Sequence, residues 1–187
     1  MSPQSGLPHN NRVGDLDSGA LPYVMRTLGL SLEDAERQLT RESGLKGLSG
    51  LSNDIRDIET AAATGDARSQ LALDVFVASA RHWIGAYFFE LGGADAMVFT
   101  AGIGENGTAL RARICANLER LGIVLDAQAN AATAGREGVI SAPNSAVKIL
   151  VIPTNEELVV AREARRLLTA ADSSRDRARE PQLSVNR

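Results

Sequence analysis

The spacing of apolar and polar residues divides the chain into helical and extended stretches. Residues 21–28 read as a short helix with Pro22 tolerated in its first turn. Ser31 then offers an N-cap, with Glu33 and Asp34 in the first turn, for a helix running to about residue 40. Residues 43–53 carry Gly44, Gly47 and Gly50 and read as a loop. Residues 54–63 look helical, Gly65 interrupts, and a long helix over residues 66–91 follows. Its apolar residues cover more than one face, which predicts burial on both sides. Residues 96–100 form a short apolar run of strand type, and residues 102–107 a tight glycine-rich loop. Leu110, Ile114, Leu118 and Leu121 mark one face of an amphipathic helix. Residues 122–125 and 138–140 suggest short extended pieces, and residues 147–152 are the clearest strand in the chain. Pro153 closes that strand, and a helix over residues 155–168 comes next. Helices alternating with strands in the second half predict an α/β layer structure. The division expected is a loop and domain start over residues 1–20, one domain over 21–169 and a disordered tail over 170–187.

Composition narrows the functional classes. Of 187 residues, 44% are apolar and 23% charged, enough for a packed core. Twenty Lys and Arg against 23 Asp and Glu give a net charge of −3, which argues against nucleic-acid or anionic-membrane binding driven by bulk charge. A single cysteine excludes an internal disulfide, and two distant histidines argue against a His-rich metal site. No apolar run approaches the ~20 residues of a membrane helix, and the start lacks signal-peptide order. The expectation is a cytoplasmic protein without nucleic-acid or membrane partners.

Four loops carry residue types suited to chemistry. In the first, a strand leads through Gly102, Ile103, Gly104, Glu105 and Asn106 into a helix, an arrangement that lets backbone approach a phosphate or polar nucleotide group. A plain connection needing two glycines is the alternative, and the spacing matches neither a Walker loop nor the dinucleotide fingerprint. In the second, Thr154 and Glu157 fit a capping box, which leaves Glu156 unused. A lone carboxylate after a strand suits Mg2+, which takes one or two protein carboxylates plus phosphates and water; a solvated first-turn glutamate is the alternative. The third loop sets Arg12 near Asp15 and Asp17, where an arginine can stabilise a transferring phosphoryl group or simply pair with a carboxylate. The fourth, Ser52, Asn53, Asp54, Ile55, Arg56 and Asp57, caps a helix or turns polar groups toward a nucleotide. Cys115 reads as a small core residue, and His82 as packed or solvated beside Trp83.

Together these strings resemble the carboxyl-terminal half of the acetate/propionate/butyrate kinase family, with acetate kinase its leading member. The resemblance rests on Val-Phe-Thr-Ala-Gly-Ile-Gly-Glu-Asn at 98–106, Val-Ile-Pro-Thr-Asn-Glu-Glu at 151–157, and Gly-Leu-Ser-Asn-Asp-Ile-Arg-Asp-Ile at 50–58. Ser43-Gly44-Leu45, Ile84-Gly85-Ala86-Tyr87 and the Arg-x-Gly-Asp-Leu-Asp string from Arg12 extend it, collinear over residues 6–168. It implies the actin-like, sugar-kinase (ribonuclease H-like) fold, of which this chain would be the second of two domains. It also implies reversible phosphoryl transfer between ATP and acetate or propionate, giving acetyl phosphate and ADP, with Mg2+ or Mn2+. By the same resemblance Asp54, Ile55, Arg56 and residues 102–106 contact nucleotide, Glu156 holds the metal, and Arg12 stabilises the transition state.

The family's amino-terminal domain has no counterpart among these residues, and the expectation is about half an active site. Asn10-Asn11 stands where the family usually has Gly-Thr, and Ser18 where it has Pro. Three readings follow: a kinase domain completed by an amino-terminal half from a separate partner chain or a longer transcript, a non-catalytic nucleotide-binding remnant, or a module that forms a homodimer.

Overall fold

The structure, a computed structural model, describes residues 5–179. It divides into a first unit ending at Ile152 and a second beginning at Pro153. In the first unit a loop leads into α1 (Ala20–Leu28) and α2 (Leu32–Arg37). As expected, Ser31 caps α2, its Oγ accepting from the Asp34 N–H. The last turns widen into a π-helical segment, Gln38–Glu42, instead of continuing as α-helix.

The stretch read as a loop at 43–53 contains a helix, α3 (Gly44–Ser49), despite its glycines. Tertiary hydrogen bonds override weak propensity here. The N–H groups of Ser43, Leu45 and Lys46 donate to the carbonyls of Asn11, His9 and Asn10. The donors that a helix start leaves without intrahelical partners are thus satisfied by another loop.

Helices α4 (Ile55–Ala63) and α5 (Ala67–Glu90) lie where the periodicity puts them. Asp54 and Asp66 supply their N-caps. Burial on α5 is confined to Ser69, Ala72, Leu73, Phe76, Val77 and Ala80, a single stripe at helical spacing, and not to two faces. Leu71 and Tyr87 face solvent. That stripe packs on α3, α4 and α7.

Strand β1 (Ala96–Phe99) pairs in parallel with β3 (Lys148–Val151), and β2 (Gly138–Val139) joins the other edge of β3 antiparallel. Phe99 and Val151 sit opposite one another at the carboxyl ends of the parallel pair, and both are buried. The core runs from this sheet through Leu110, Ile114 and Cys115 to the α5 stripe and Ile58.

Three more boundaries depart from the pattern. The 102–107 loop is helical, as α6 (Ala101–Asn106). Helix α7 (Thr108–Cys115) stops six residues short of Leu121. There the Arg81 guanidinium on α5 donates to the carbonyls of Arg113, Ile114 and Ala116, and Asn117 turns left-handed at φ 59°. Helix α8 (Ala127–Ala132), capped by Asp126, has no apolar period that would have predicted it.

In the second unit, α9 (Glu156–Arg179) runs well past residue 168. Residues 170–179, read as disordered tail, are therefore helical; residues 180–187 lie outside the described residues. No Gly or Pro interrupts the chain from Asn155 to Glu180, so nothing local stops the helix. Asn155, not Thr154, caps it: its Oδ1 accepts from the Leu158 N–H. This moves the N3 position from Glu157 to Leu158 and overturns the capping box. Among the described residues no helix is long and apolar enough to cross a membrane.

Candidate functional site

The Arg12 loop is set by α3 and α5. Gly44, at φ +62°, lets the loop lie directly on α3: a Cβ there would sit 2.1 Å from the His9 carbonyl oxygen and 2.5 Å from that of Arg12. The Val13 N–H donates to the Leu39 carbonyl at 3.0 Å. Asp15 fixes the loop's far side, Oδ1 accepting from the Gly6 N–H at 2.8 Å and Oδ2 from the Trp83 indole at 3.1 Å. Asp17 closes the turn into α1 through the Gly19 N–H. Asn10 and Asn11, the departures from the family pattern, serve α3 through their carbonyls, a role any residue can fill. Beside this loop lies a cleft of ≈ 420 Å3 lined by Val13, Asp15, Ser43, Gly44, Val75 and Ser79, among others.

The 54–56 segment opens α4. Asp54 Oδ1 accepts from the Arg56 N–H at 2.9 Å, and its Oδ2 pairs with the Arg56 guanidinium at 2.5 Å. The Arg56 hydrogen bonds hold the Asp54 carboxyl down at about 2. Ser52 accepts from the Asp54 N–H and donates to Asp57, while Ile55 packs on the core. Asp54 therefore caps the helix, the reading its residue type favours, and the Arg56 side chain is 84% exposed.

The 102–106 segment departs from the glycine argument. The left-handed residue is Ala101, at φ 58°, not a glycine. A Cβ at Gly102 would meet open space, whereas at Gly104 it would come within 3.3 Å of the Phe99 backbone. Asn106 Nδ2 donates back to the Gly102 carbonyl, and the Gly135 N–H to that of Glu105.

Beneath this segment lies a residue that the sequence reading missed. Arg111 is 1% exposed, yet its guanidinium bonds to neutral oxygens and not to a carboxylate. Nη1 donates to the carbonyls of Gly104 and Glu105, both at 2.7 Å. Nε donates to Asn130 Oδ1, and Nη2 to the carbonyls of Asn130 and Thr133. Five N–H donors meet five neutral oxygens. Burial lowers the guanidinium's pKa from its ordinary value. The available signal was position: residue 111 shares the buried stripe of Ile114 and Cys115. On that stripe burial also pushes the Cys115 thiol up to about 11, as befits a core residue.

Glu156 opens α9 in the second unit, and its side chain lies outside the described residues. Among the described residues, no three His, Cys, Asp or Glu side chains gather as a metal cage would require.

The model of the Acetokinase family matches residues 1–162. The chain belongs to the Acetokinase family. Among its relatives, the acetate kinase of Clostridioides difficile (strain 630) is 48% identical over 168 residues, covering 90% of this chain and 42% of that enzyme. The acetate kinase of Staphylococcus carnosus (strain TM300) is 45% identical over 164 residues, 41% of its length. Among solved structures, Porphyromonas gingivalis acetate kinase superposes with a TM-score of 0.84 at 38% identity, over 90% of this chain and 42% of that one. A propionate kinase from Francisella tularensis gives 0.79 at 37% identity, over 86% and 41%. This acetokinase chain thus spans less than half the length of the relatives it matches.

Proposed function

We propose that this chain is the carboxyl-terminal, nucleotide-side domain of an acetate kinase, and that it binds ADP or ATP while a complementary amino-terminal half supplies the acyl side. The observation that carries the reading is the collinear order of the Arg12, 54–56, 102–106 and 151–157 strings within the family match over residues 1–162. The phosphoryl acceptor is acetate or propionate, following the names of the kinases it resembles.

In this reading residues 54–56 and 102–106 hold the nucleotide from two α-helix starts of one domain. Arg12, on a loop fixed by α3 and Asp15, presents its guanidinium to the transferring phosphoryl group, whose charge spreads over its equatorial oxygens. Such transfer needs charge neutralisation and in-line placement more than covalent help. The donor chemistry fits a sparse Mg2+ or Mn2+ site, with Glu156 as the one protein carboxylate and phosphates and water completing it. A dication held by Glu156 would supply neutralisation of the phosphate charge.

A second reading is a non-catalytic nucleotide-binding or dimerising remnant of such a kinase. The experiment that separates them measures ADP binding by calorimetry and acetyl hydroxamate formation with acetate and MgATP. The expected result is weak ADP binding by the chain alone, with acetyl phosphate formed only when an amino-terminal half is added. ADP binding without any gain on that addition favours the remnant. A folded chain that gives no heat with millimolar ADP overturns both.

A further inference from the structure

We propose that Arg111 is the positioning residue of the 102–106 segment, bolting its inner face to α8 so that its outer face meets a nucleotide in fixed geometry; this rests on the nucleotide-binding reading above. The segment has two unlike faces. Inward, the carbonyls of Gly104 and Glu105 converge on one guanidinium, and the Glu105 carbonyl also receives the Gly135 N–H. Outward, Gly102 is exposed and its absent Cβ leaves open space. At one end the chain enters through Ala101 in a left-handed conformation that an L residue with a Cβ adopts only when its surroundings hold it there. At the other, Gly107 approaches the Ile103 carbonyl so closely that a Cβ would lie 2.6 Å from it.

Neither feature is sustained by the six residues of α6 alone, because a helix this short has almost no internal ladder. Beside the Gly135 N–H on the Glu105 carbonyl, the anchor that ties the segment to α8 is Arg111. Its Nη1 donates to two adjacent carbonyls of α6, and Nε and Nη2 in the same plane are fixed by Asn130 and Thr133. Asn130 is itself held, Nδ2 donating to the Thr108 carbonyl at 2.8 Å. The guanidinium thus joins α6, the start of α7 and α8 into one block. A lysine keeps the charge but cannot reproduce five donors in a plane.

The test compares Arg111→Lys with Ile140→Ala, a core truncation outside α6, α7 and α8, on the full chain. Two quantities are read beside the melting temperature: amide hydrogen exchange at residues 103–107, and the calorimetric Kd for ADP. Arg111→Lys is expected to speed exchange at 103–107 selectively and to weaken ADP by about tenfold or more, the usual cost of removing a residue that orients a ligand contact. Ile140→Ala, at comparable loss of melting temperature, is expected to do neither. Should Arg111→Lys fail to fold, Asn130→Ala removes one strut of the fork and is expected to give the same selective exchange at smaller amplitude. Equal effects from Arg111→Lys and Ile140→Ala, or unchanged exchange at 103–107, overturn the proposal. If the unaltered chain binds no ADP, the functional reading fails, and exchange at 103–107 still decides whether Arg111 holds the segment.

Discussion

The 54–56 and 102–106 segments are each held by an arginine, Arg56 within the first and Arg111 beneath the second, and the two are used in opposite ways. Arg56 is 84% exposed and pairs with the carboxylate two residues before it. Arg111 is buried, bonds only neutral oxygens, and reaches residues 19 and 22 positions away. An exposed, sequence-local ion pair contributes little to stability but leaves its cation able to change partner. A buried cation whose donors are all satisfied, four of them by backbone carbonyls, holds that backbone and is costly to remove. One region is arranged for reach and the other for rigidity.

The largest effect that would break this contrast is on stability. Arg111→Met takes a donor from five oxygens, of which those of Glu105 and Asn130 keep the Gly135 and Thr133 N–H groups, and is expected to cost about 3–5 kcal/mol, read from urea unfolding. Arg56→Met should barely move the same midpoint. Comparable losses from both would show that the two regions do not differ as described.

A smaller effect sharpens the contrast on the ligand side. Gly102 needs neither a positive φ nor the missing Cβ for packing. Gly102→Ala is therefore expected to leave the melting temperature unchanged while weakening ADP by about tenfold, because the added methyl fills the open space through which the backbone would meet the nucleotide. An unaltered Kd, measured by calorimetry, would remove Gly102 from the nucleotide contact.

Smaller again is the response to pH. The Arg56 hydrogen bonds hold Asp54 at about 2, below its ordinary 3.8. A depressed carboxyl stabilises the fold above the ordinary value, and the gain is lost as pH falls toward 2. Arg56→Gln should move the Asp54 midpoint, followed by NMR, up toward 3.8. The shift should be incomplete, because the residue 56 N–H still donates to the carboxylate. The smallest expected signal is at Cys115, buried with its thiol raised to about 11: near neutral pH it should react with a thiol reagent only as fast as the chain opens.

Long periodic elements were legible in the sequence because a single stripe of burial dictates them. Helices α4 and α5 and strand β3 fall within a residue or two of the apolar pattern. What could not be read was structure held by tertiary hydrogen bonds. Helix α3 exists because the 9–11 carbonyls accept its first N–H groups, and α7 ends where Arg81 reaches its carbonyls. The site strings stood out by residue type, which is local. Arg111 did not, because an arginine flanked by Leu110 and Ala112 carries no sign that its partners lie on α8. The Thr154–Glu157 box failed for a related reason: Asn155 is an equally good cap one residue on, and composition does not choose between them.

Gly44 gives the Arg12 loop a genetic vulnerability. Its hydrogen atom stands where any other residue would push a carbon into two carbonyls of that loop. Under the proposed function, in a random-mutagenesis screen scored by acetyl phosphate production with the complementary half present, codon 44 should therefore accumulate null alleles as readily as codon 12. Their suppressors should not arise by restoring charge, since none was lost, but by lengthening or loosening the segment between His9 and Arg12.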